Sequence, residues 1–204
     1  MRCMGTNSAG WKQCLVVFGL LFPLLAWGGE PTSTLKGTID QVLAILADGQ
    51  KSTEQKRENI RRVISQRFDY AAMSRGSLAH NWKKASAAQK QRFTELYARL
   101  MQNTYLVLVE KYNNQTVEYG AERIRKGKYA QVNTYIVDAG RKTPVNYKLR
   151  LKDGDWQVYD VIIENVSMMN NYRSSYQQIV KTDGMDGLIV RLEEKLTGEA
   201  QASN

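Results

Sequence analysis

Few residues in the 204-residue chain have the type and spacing that catalysis needs. The single histidine, His80, could serve as a general base, but an isolated histidine is more often a surface or loop residue. Asp160 and Glu164 are expected on the same face of a predicted strand. They are four residues apart, which separates them by about 13 Å. Because that distance is too large for two carboxylates acting on one bond, we expect Asp160 to pair with a helix cation such as Arg173.

Motifs for cofactor and metal chemistry are missing from the sequence. It contains no glycine-rich phosphate loop, no dinucleotide fingerprint and no nucleophile-elbow pattern. A metal site needs a cluster of histidines, cysteines or carboxylates, and the chain has one histidine and two cysteines. We therefore predict that the protein is not an enzyme and that it holds no metal and no cofactor.

Residues 1–28 are typical of a cleaved signal peptide. Arg2 and Lys12 precede an apolar run of 12 residues, Leu15–Ala26, which small residues follow. The run is shorter than the roughly 20 residues of a membrane span, and an uncleaved anchor is the alternative. Cleavage would remove both cysteines and leave one domain at residues 29–204 that cannot form disulfides.

The basic charge of the chain has several interpretations. Lys and Arg number 29 against 20 Asp and Glu, so the net charge is +9, and loss of the two cations in the signal peptide would leave +7. No aromatic residues interleave the predicted strand face of Lys148, Arg150 and Lys152, and we expect no nucleic-acid partner. The face is expected to be solvated, or else to dock an acidic protein or anionic lipid headgroups.

Apolar residues at helical spacing predict a mainly helical first half, from Leu35 to about Lys111. Capping boxes at residues 52–55 and 86–89 predict where the second helix and the longest helix begin. Two further helices, separated by a glycine, are predicted after residue 170. The first helix carries one apolar stripe, formed by Leu35, Ile39, Val42, Leu43 and Leu46.

Between Gln115 and Asn165 the pattern changes to four antiparallel strands, with turns at residues 125–127, 139–141 and 153–154. A sheet with one apolar face must be covered by helices, so we predict an α+β fold. The third strand shows the alternation best, with one apolar face formed by Val145, Tyr147, Leu149 and Leu151.

Tyrosine and methionine are abundant, at 11 and 7 residues. Both side chains suit an ordinary core, and both also suit a cavity wall that accepts variable apolar guests. Composition does not choose between these interpretations. The residues in question lie where the sheet and the long helix should meet: Met101, Tyr105, Tyr147, Val158, Met168 and Met169.

Short pieces of sequence between residues 68 and 196 match one family in their order and spacing. They include Phe68-Asp69, Trp82, Phe93, Thr104-Tyr105, Trp156 to Val161, Glu164 to Ser167, Asn171 to Arg173 and Gly184 to Ile189. On these residues the chain resembles the MlaC family, the toluene-tolerance periplasmic phospholipid-binding proteins of Gram-negative bacteria. Asn165 stands where the family usually has glycine, and asparagine tolerates the left-handed backbone.

The resemblance implies a cone-shaped fold of the nuclear-transport-factor type, with helices packed over a four-stranded antiparallel curved sheet. It implies a periplasmic carrier that shuttles phospholipid between an outer-membrane lipoprotein complex and an inner-membrane ABC transporter complex. The alternatives are a carrier of hopanoid or another lipid, and a non-catalytic docking adaptor with a solid core. A third is a small-molecule enzyme with His80 or a carboxylate pair in its cavity.

For such a carrier we expect a set of apolar residues to bind the lipid. Met73 and Trp82 are expected near the rim of the cavity. Three polar residues are expected to pin the corner between the last strand and the following helix: Asp160, Ser167 and Arg173. The residues expected to contact the tails are Tyr105, Leu108, Tyr147, Leu149, Val158, Val166 and Met169.

Overall fold

The computed structural model describes residues 30–110 and 115–202. The predicted signal peptide at residues 1–28 lies outside the described residues. None of the helices formed by the described residues combines the length and apolarity that a membrane crossing requires.

Within residues 30–110, five helices precede the sheet, in the helical first half that the sequence predicts. The capping boxes are confirmed: the Ser52 and Ser86 hydroxyls accept from the backbone N–H groups of Gln55 and Gln89, whose side chains accept in return. α1 begins earlier than predicted because a proline is favoured in the first turn of a helix. The helices are α1 (Pro31–Ala47), α2 (Thr53–Arg67), α3 (Tyr70–Leu78), α4 (Asn81–Lys84) and α5 (Ala87–Glu110).

An open antiparallel sheet follows, with its strands side by side in chain order. The three predicted hairpin turns are confirmed, and at each of them one residue and the glycine after it have positive φ. The prediction of four strands misses a fifth, which at two residues is too short to show alternation. The strands are β1 (Thr116–Arg125), β2 (Tyr129–Asp138), β3 (Arg141–Lys152), β4 (Asp155–Ile163) and β5 (Val166–Ser167).

Two irregularities curve the sheet. The register shifts between Tyr119 and Glu122 in β1, and again between Lys148 and Leu149 in β3. Such bulges bend a strand and increase its twist. The turn after β4 is also tight, and Asn165 has a φ of 70°, so asparagine takes the left-handed position there as expected.

Two helices close the chain, α6 (Met168–Asn171) and α7 (Arg173–Ala202). α7 is interrupted at Gly184, whose φ of 72° is a conformation that favours glycine. This interruption is where the sequence predicts a break between two helices. α7 packs along α5, and a cluster of four aromatic rings, Phe93, Tyr97, Tyr172 and Tyr176, joins the two helices.

The polar face of β3 differs from the expected solvated surface. Lys148 pairs with Asp160 and Arg150 pairs with Asp69. Both carboxylates are buried, so each needs a cation and hydrogen bonds to offset its desolvation. Only Lys152 of the three cations is exposed. The predicted alternation of β3 is confirmed, but Lys148 and Arg150 pair with buried carboxylates and do not form a solvated surface.

Candidate functional site

A cavity of about 280 Å³ lies between the helices and the inner face of the sheet. Its wall is built from α1, α2, α3, α5 and α6 on one side and from β1 to β4 on the other. No charged residue is among the described residues that line it. Such a wall forms no strong polar contacts with a ligand and suits a hydrocarbon guest.

The predicted apolar stripe of α1 faces this cavity. All five of its residues, from Leu35 to Leu46, belong to the wall. The helix is tied down at both ends: the Thr32 N–H donates to Glu122 at 2.8 Å, and the Lys56 ammonium donates to the Leu46 carbonyl at 2.8 Å. α1 therefore spans an unfilled space while its ends are held by polar contacts.

Several polar groups in the wall are paired within the protein. The Thr134 hydroxyl donates to the Val145 carbonyl at 2.6 Å, and Thr38 donates to the Thr34 carbonyl at 3.2 Å. Because these hydroxyls already have partners, they present little polarity to the cavity.

Tyrosine side chains in the wall experience the same apolar surroundings. Burial raises the pKa of Tyr147 to about 12, because the charged phenolate would be poorly solvated there. Burial likewise raises the pKa of Tyr70 to about 12, although its hydroxyl accepts a hydrogen bond from Gln102. Both phenols are therefore neutral at physiological pH.

The cavity reaches the surface at the carboxyl end of α5. Leu108 lines it and is 52% exposed. Near this opening, Arg57 donates to Glu110, the last residue of α5, at 2.5 Å. The apolar interior thus opens beside an ion pair at the end of α5, where the polar end of an amphipathic molecule can reach water.

Four of the nine residues expected to contact lipid lie in the wall, namely Met73, Tyr105, Leu108 and Tyr147. Met73 differs from its expected place near the rim, because it is fully buried in α3. The other three occupy α5 and β3, where the sequence suggested that the sheet and the long helix meet.

Leu149 and Val158 do not line the cavity. Both are fully buried in the packed core and are cross-strand partners. The backbone of Phe68 forms an isolated parallel bridge with that of Val158. The apolar face of β3 therefore continues past the cavity into solid core, and alternation alone cannot distinguish these two surroundings.

Trp82, Val166 and Met169 also lie elsewhere. Trp82 packs at the edge of the core with the Lys90 ammonium 5.9 Å from its ring centre. Val166, in the short β5, is 55% exposed. Of the two adjacent methionines it is Met168 that lines the cavity, whereas Met169 contacts Gly76 in α3. The single turn of α6 sends the two side chains in different directions.

The expected corner between β4 and α6 contains Asp160 and Ser167, but Arg173 has a different partner. Asp160 is fully buried, and it accepts from the Ser167 hydroxyl at 2.8 Å, the Met169 N–H at 3.2 Å and Lys148 at 3.3 Å. Arg173 donates instead to the Gly76 carbonyl at 2.8 Å. The expected pair of Asp160 with Arg173 is therefore wrong, because a lysine on the adjacent strand lies closer.

The contact between Met169 and Gly76 predicts a coupled pair of substitutions. A Cβ atom at residue 76 would lie 2.9 Å from Met169 Cγ, so Gly76→Ala should lower the free energy of unfolding by about 1–3 kcal/mol. In a Met169→Ala background the same change should raise it by up to about 1 kcal/mol, since alanine favours helix. Urea unfolding measures both effects, and equal effects in the two backgrounds would contradict the contact.

Several wall residues were not expected to contact a ligand from sequence. The α1 stripe was interpreted only as a helix face, although its apolar spacing was the signal. Thr134, Ile136, Val145, Val161 and Ile163 share one face of the sheet with Tyr147. Their alternation on three adjacent strands was the available signal.

Catalytic candidates lie away from the cavity. His80 precedes α4, and Glu164 is an exposed turn residue that pairs with Arg141 at 3.5 Å. Neither they nor Asp160 line the cavity. Among residues 30–110 and 115–202, no group of three His, Cys, Asp or Glu side chains could hold a metal ion.

Comparisons with known proteins point in one direction. The family model described as MlaC protein matches residues 36–194. The toluene tolerance protein ttg2D of Pseudomonas putida is 26% identical over 185 residues, with 86% of this chain and 85% of that protein covered. The intermembrane phospholipid transport system binding protein MlaC of Haemophilus influenzae is 24% identical over 122 residues, 57% of each chain.

A solved structure has the same fold. It is a phospholipid-binding protein from Ralstonia solanacearum in complex with a phospholipid. It superposes with a TM-score of 0.76 at 24% identity, covering 84% of this chain and 99% of that one. The mixed fold, with helices over a curved and open antiparallel sheet, is thus confirmed.

Proposed function

The chain belongs to the MlaC family, and we propose that it is a periplasmic phospholipid carrier. In this proposal it moves lipid between the outer and inner membranes and thereby maintains the lipid asymmetry of the outer membrane. Its partners would be an inner-membrane ABC transporter complex and an outer-membrane lipoprotein complex. Export across the inner membrane would use the cleavable signal peptide at residues 1–28.

The observation that carries the proposal is that no described residue of the cavity wall is charged. Exposing hydrocarbon to water costs about 0.8 kcal/mol per CH₂, or about 12 kcal/mol for a palmitoyl-sized chain. A carrier must hide that surface, and the wall formed by α1, α5 and the sheet offers an apolar lining to do so. Transfer from a bilayer into such a cavity is close to neutral, since both surroundings are apolar.

Two consequences follow for the transport cycle. Because transfer is close to neutral, the carrier gives the lipid no direction, which would come from docking or from ATP hydrolysis by the transporter. Because the lining residues that the structure describes carry no charge, the headgroup would remain at the opening, in contact with water. Selection among headgroups is therefore expected to be weak.

The rival functions differ in what they require of this cavity. A docking adaptor needs no internal space, and an enzyme on this fold would need His80 or a carboxylate pair among the lining residues. Among the described residues of the wall there is neither a histidine nor a carboxylate pair. The unfilled space favours a carrier over an adaptor. A hopanoid carrier would use the same wall and is distinguished by the lipid that the protein carries.

The proposal is tested by identifying what the protein carries when it is purified from the periplasm without added detergent. Native mass spectrometry should detect an adduct with the mass of a phospholipid, and extraction should release a mixture close to the composition of the cell membrane. Bare polypeptide in repeated preparations would contradict the carrier proposal. If a hopanoid is the main extracted lipid, the cargo is a hopanoid and not a phospholipid.

A further inference from the structure

A second concavity of about 510 Å³ lies between α4 and the first half of α7. We call it the α4–α7 groove and define it by His80, Asn81, Lys84, Gln177, Gln178 and Lys181. It shares no lining residue with the apolar cavity. A ligand in this groove therefore need not contact the lipid-lining residues.

The charge of the groove has one sign. Lys84 and Lys181 are exposed, and neither forms an ion pair within the described residues. No carboxylate is among the described residues that line the groove. The groove therefore attracts an anionic group without competition from a carboxylate in its own lining.

The floor of the groove has an unused polar group. Asn81 is only 6% exposed, and within the described residues its side-chain amide forms no hydrogen bond. Its backbone carbonyl is occupied by the Ala85 N–H at 3.2 Å. The amide atoms of Asn81 are not among the fully buried polar atoms without a partner, so solvent reaches them from the groove, and a ligand that offers both a donor and an acceptor can replace that water.

We propose that the α4–α7 groove binds an acidic segment of a partner protein. A peptide group carries one donor and one acceptor, which match the Asn81 amide, and aspartate or glutamate side chains would pair with Lys84 and Lys181. A bilayer surface is too broad to enter the groove and contact the amide of a residue that is only 6% exposed. Nucleic acid would be expected to use stacking aromatic residues, and none lines the groove.

Charge reversal at the two lysines tests the proposal. Binding of a fluorescently labelled oligoglutamate peptide to the mature protein is measured by anisotropy. The double variant Lys84→Glu with Lys181→Glu should weaken binding at least about tenfold. The matched control is Lys128→Glu with Lys152→Glu, which makes the same change in net charge at two exposed lysines outside the groove. The control should weaken binding much less.

Three results of the peptide measurements would overturn the proposal. They are no measurable binding of the peptide, an equal loss in both double variants, and displacement of the peptide by equimolar inorganic phosphate, which would indicate a small-anion site. Binding of phosphatidylglycerol vesicles that depends on Lys84 and Lys181 would also overturn it, because the partner would then be a membrane surface and not a peptide.

Asn81→Asp provides a second test that changes charge and hardly changes shape. The added carboxylate should repel an acidic peptide and reduce its affinity, whereas unchanged affinity would remove Asn81 from the site. Co-purified lipid is measured in the same lysine variants and should stay at the wild-type level. The peptide result can therefore fail without affecting the carrier proposal, and the carrier proposal can fail without affecting the peptide result.

Discussion

Leu43→Asp should abolish co-purification of phospholipid while the protein stays folded. Leu43 lines the cavity from α1 and is half-buried. An aspartate there would place a carboxylate against the hydrocarbon of a bound lipid, and burying an unpaired charge costs several kcal/mol. In the lipid-free protein the same side chain can be reached by water, so the fold should tolerate it better than the complex does.

The matched control is Gln41→Asp, two residues earlier on the same helix. Gln41 is exposed and does not line the cavity. It receives the same residue type on the same helix and should retain lipid at the wild-type level. Native mass spectrometry measures the lipid-bound fraction, and circular dichroism checks the fold. Equal lipid content in the two variants would show that α1 does not contact the cargo.

Local signals in the sequence predict most of the elements because each has a short-range physical cause. The capping boxes at Ser52 and Ser86 depend on contacts within one helical turn. The glycine at residue 184 interrupts α7 because of its own backbone conformation. Such features need no knowledge of the tertiary structure, and their predicted positions are confirmed.

The cavity depends on contacts that residue type does not encode. Tyr147 and Leu149 lie on the same apolar face of β3, yet one lines a cavity and the other is in solid core. What distinguishes them is the position of α1 and α5 above the sheet, which results from long-range packing. Sequence patterns therefore predict which face is apolar, and the structure is needed to find where that face is left uncovered.

The partner of Asp160 shows the same limit at a polar site. The sequence indicates that a buried carboxylate needs a cation, and several cations lie within reach along the chain. The register of β3 against β4 selects Lys148 because the two residues are direct cross-strand partners. That register includes a shift beside Lys148, which the hydropathy pattern does not reveal.

Asp160→Ala is expected to be among the most destabilising single substitutions in the described residues. It would remove the acceptor for Ser167, for the Met169 N–H and for Lys148 at one buried point. Leaving buried donors without a partner, one of them charged, should lower the free energy of unfolding by about 3–5 kcal/mol. Lys148 keeps some access to water, with 32% of its side chain exposed, which favours the lower end of that range.

A second carboxylate–lysine pair supplies the comparison. Glu118 and Lys142 pair at 2.5 Å, but their side chains are 49% and 54% exposed. Glu118→Ala should therefore lower the free energy of unfolding by less than about 1 kcal/mol. Urea unfolding followed by tryptophan fluorescence measures both variants against the parent protein. If Asp160→Ala lowers the free energy of unfolding no more than Glu118→Ala does, the corner formed by Asp160, Ser167 and Met169 does not hold α6 in place. The position of Met168 in the cavity wall would then have another cause.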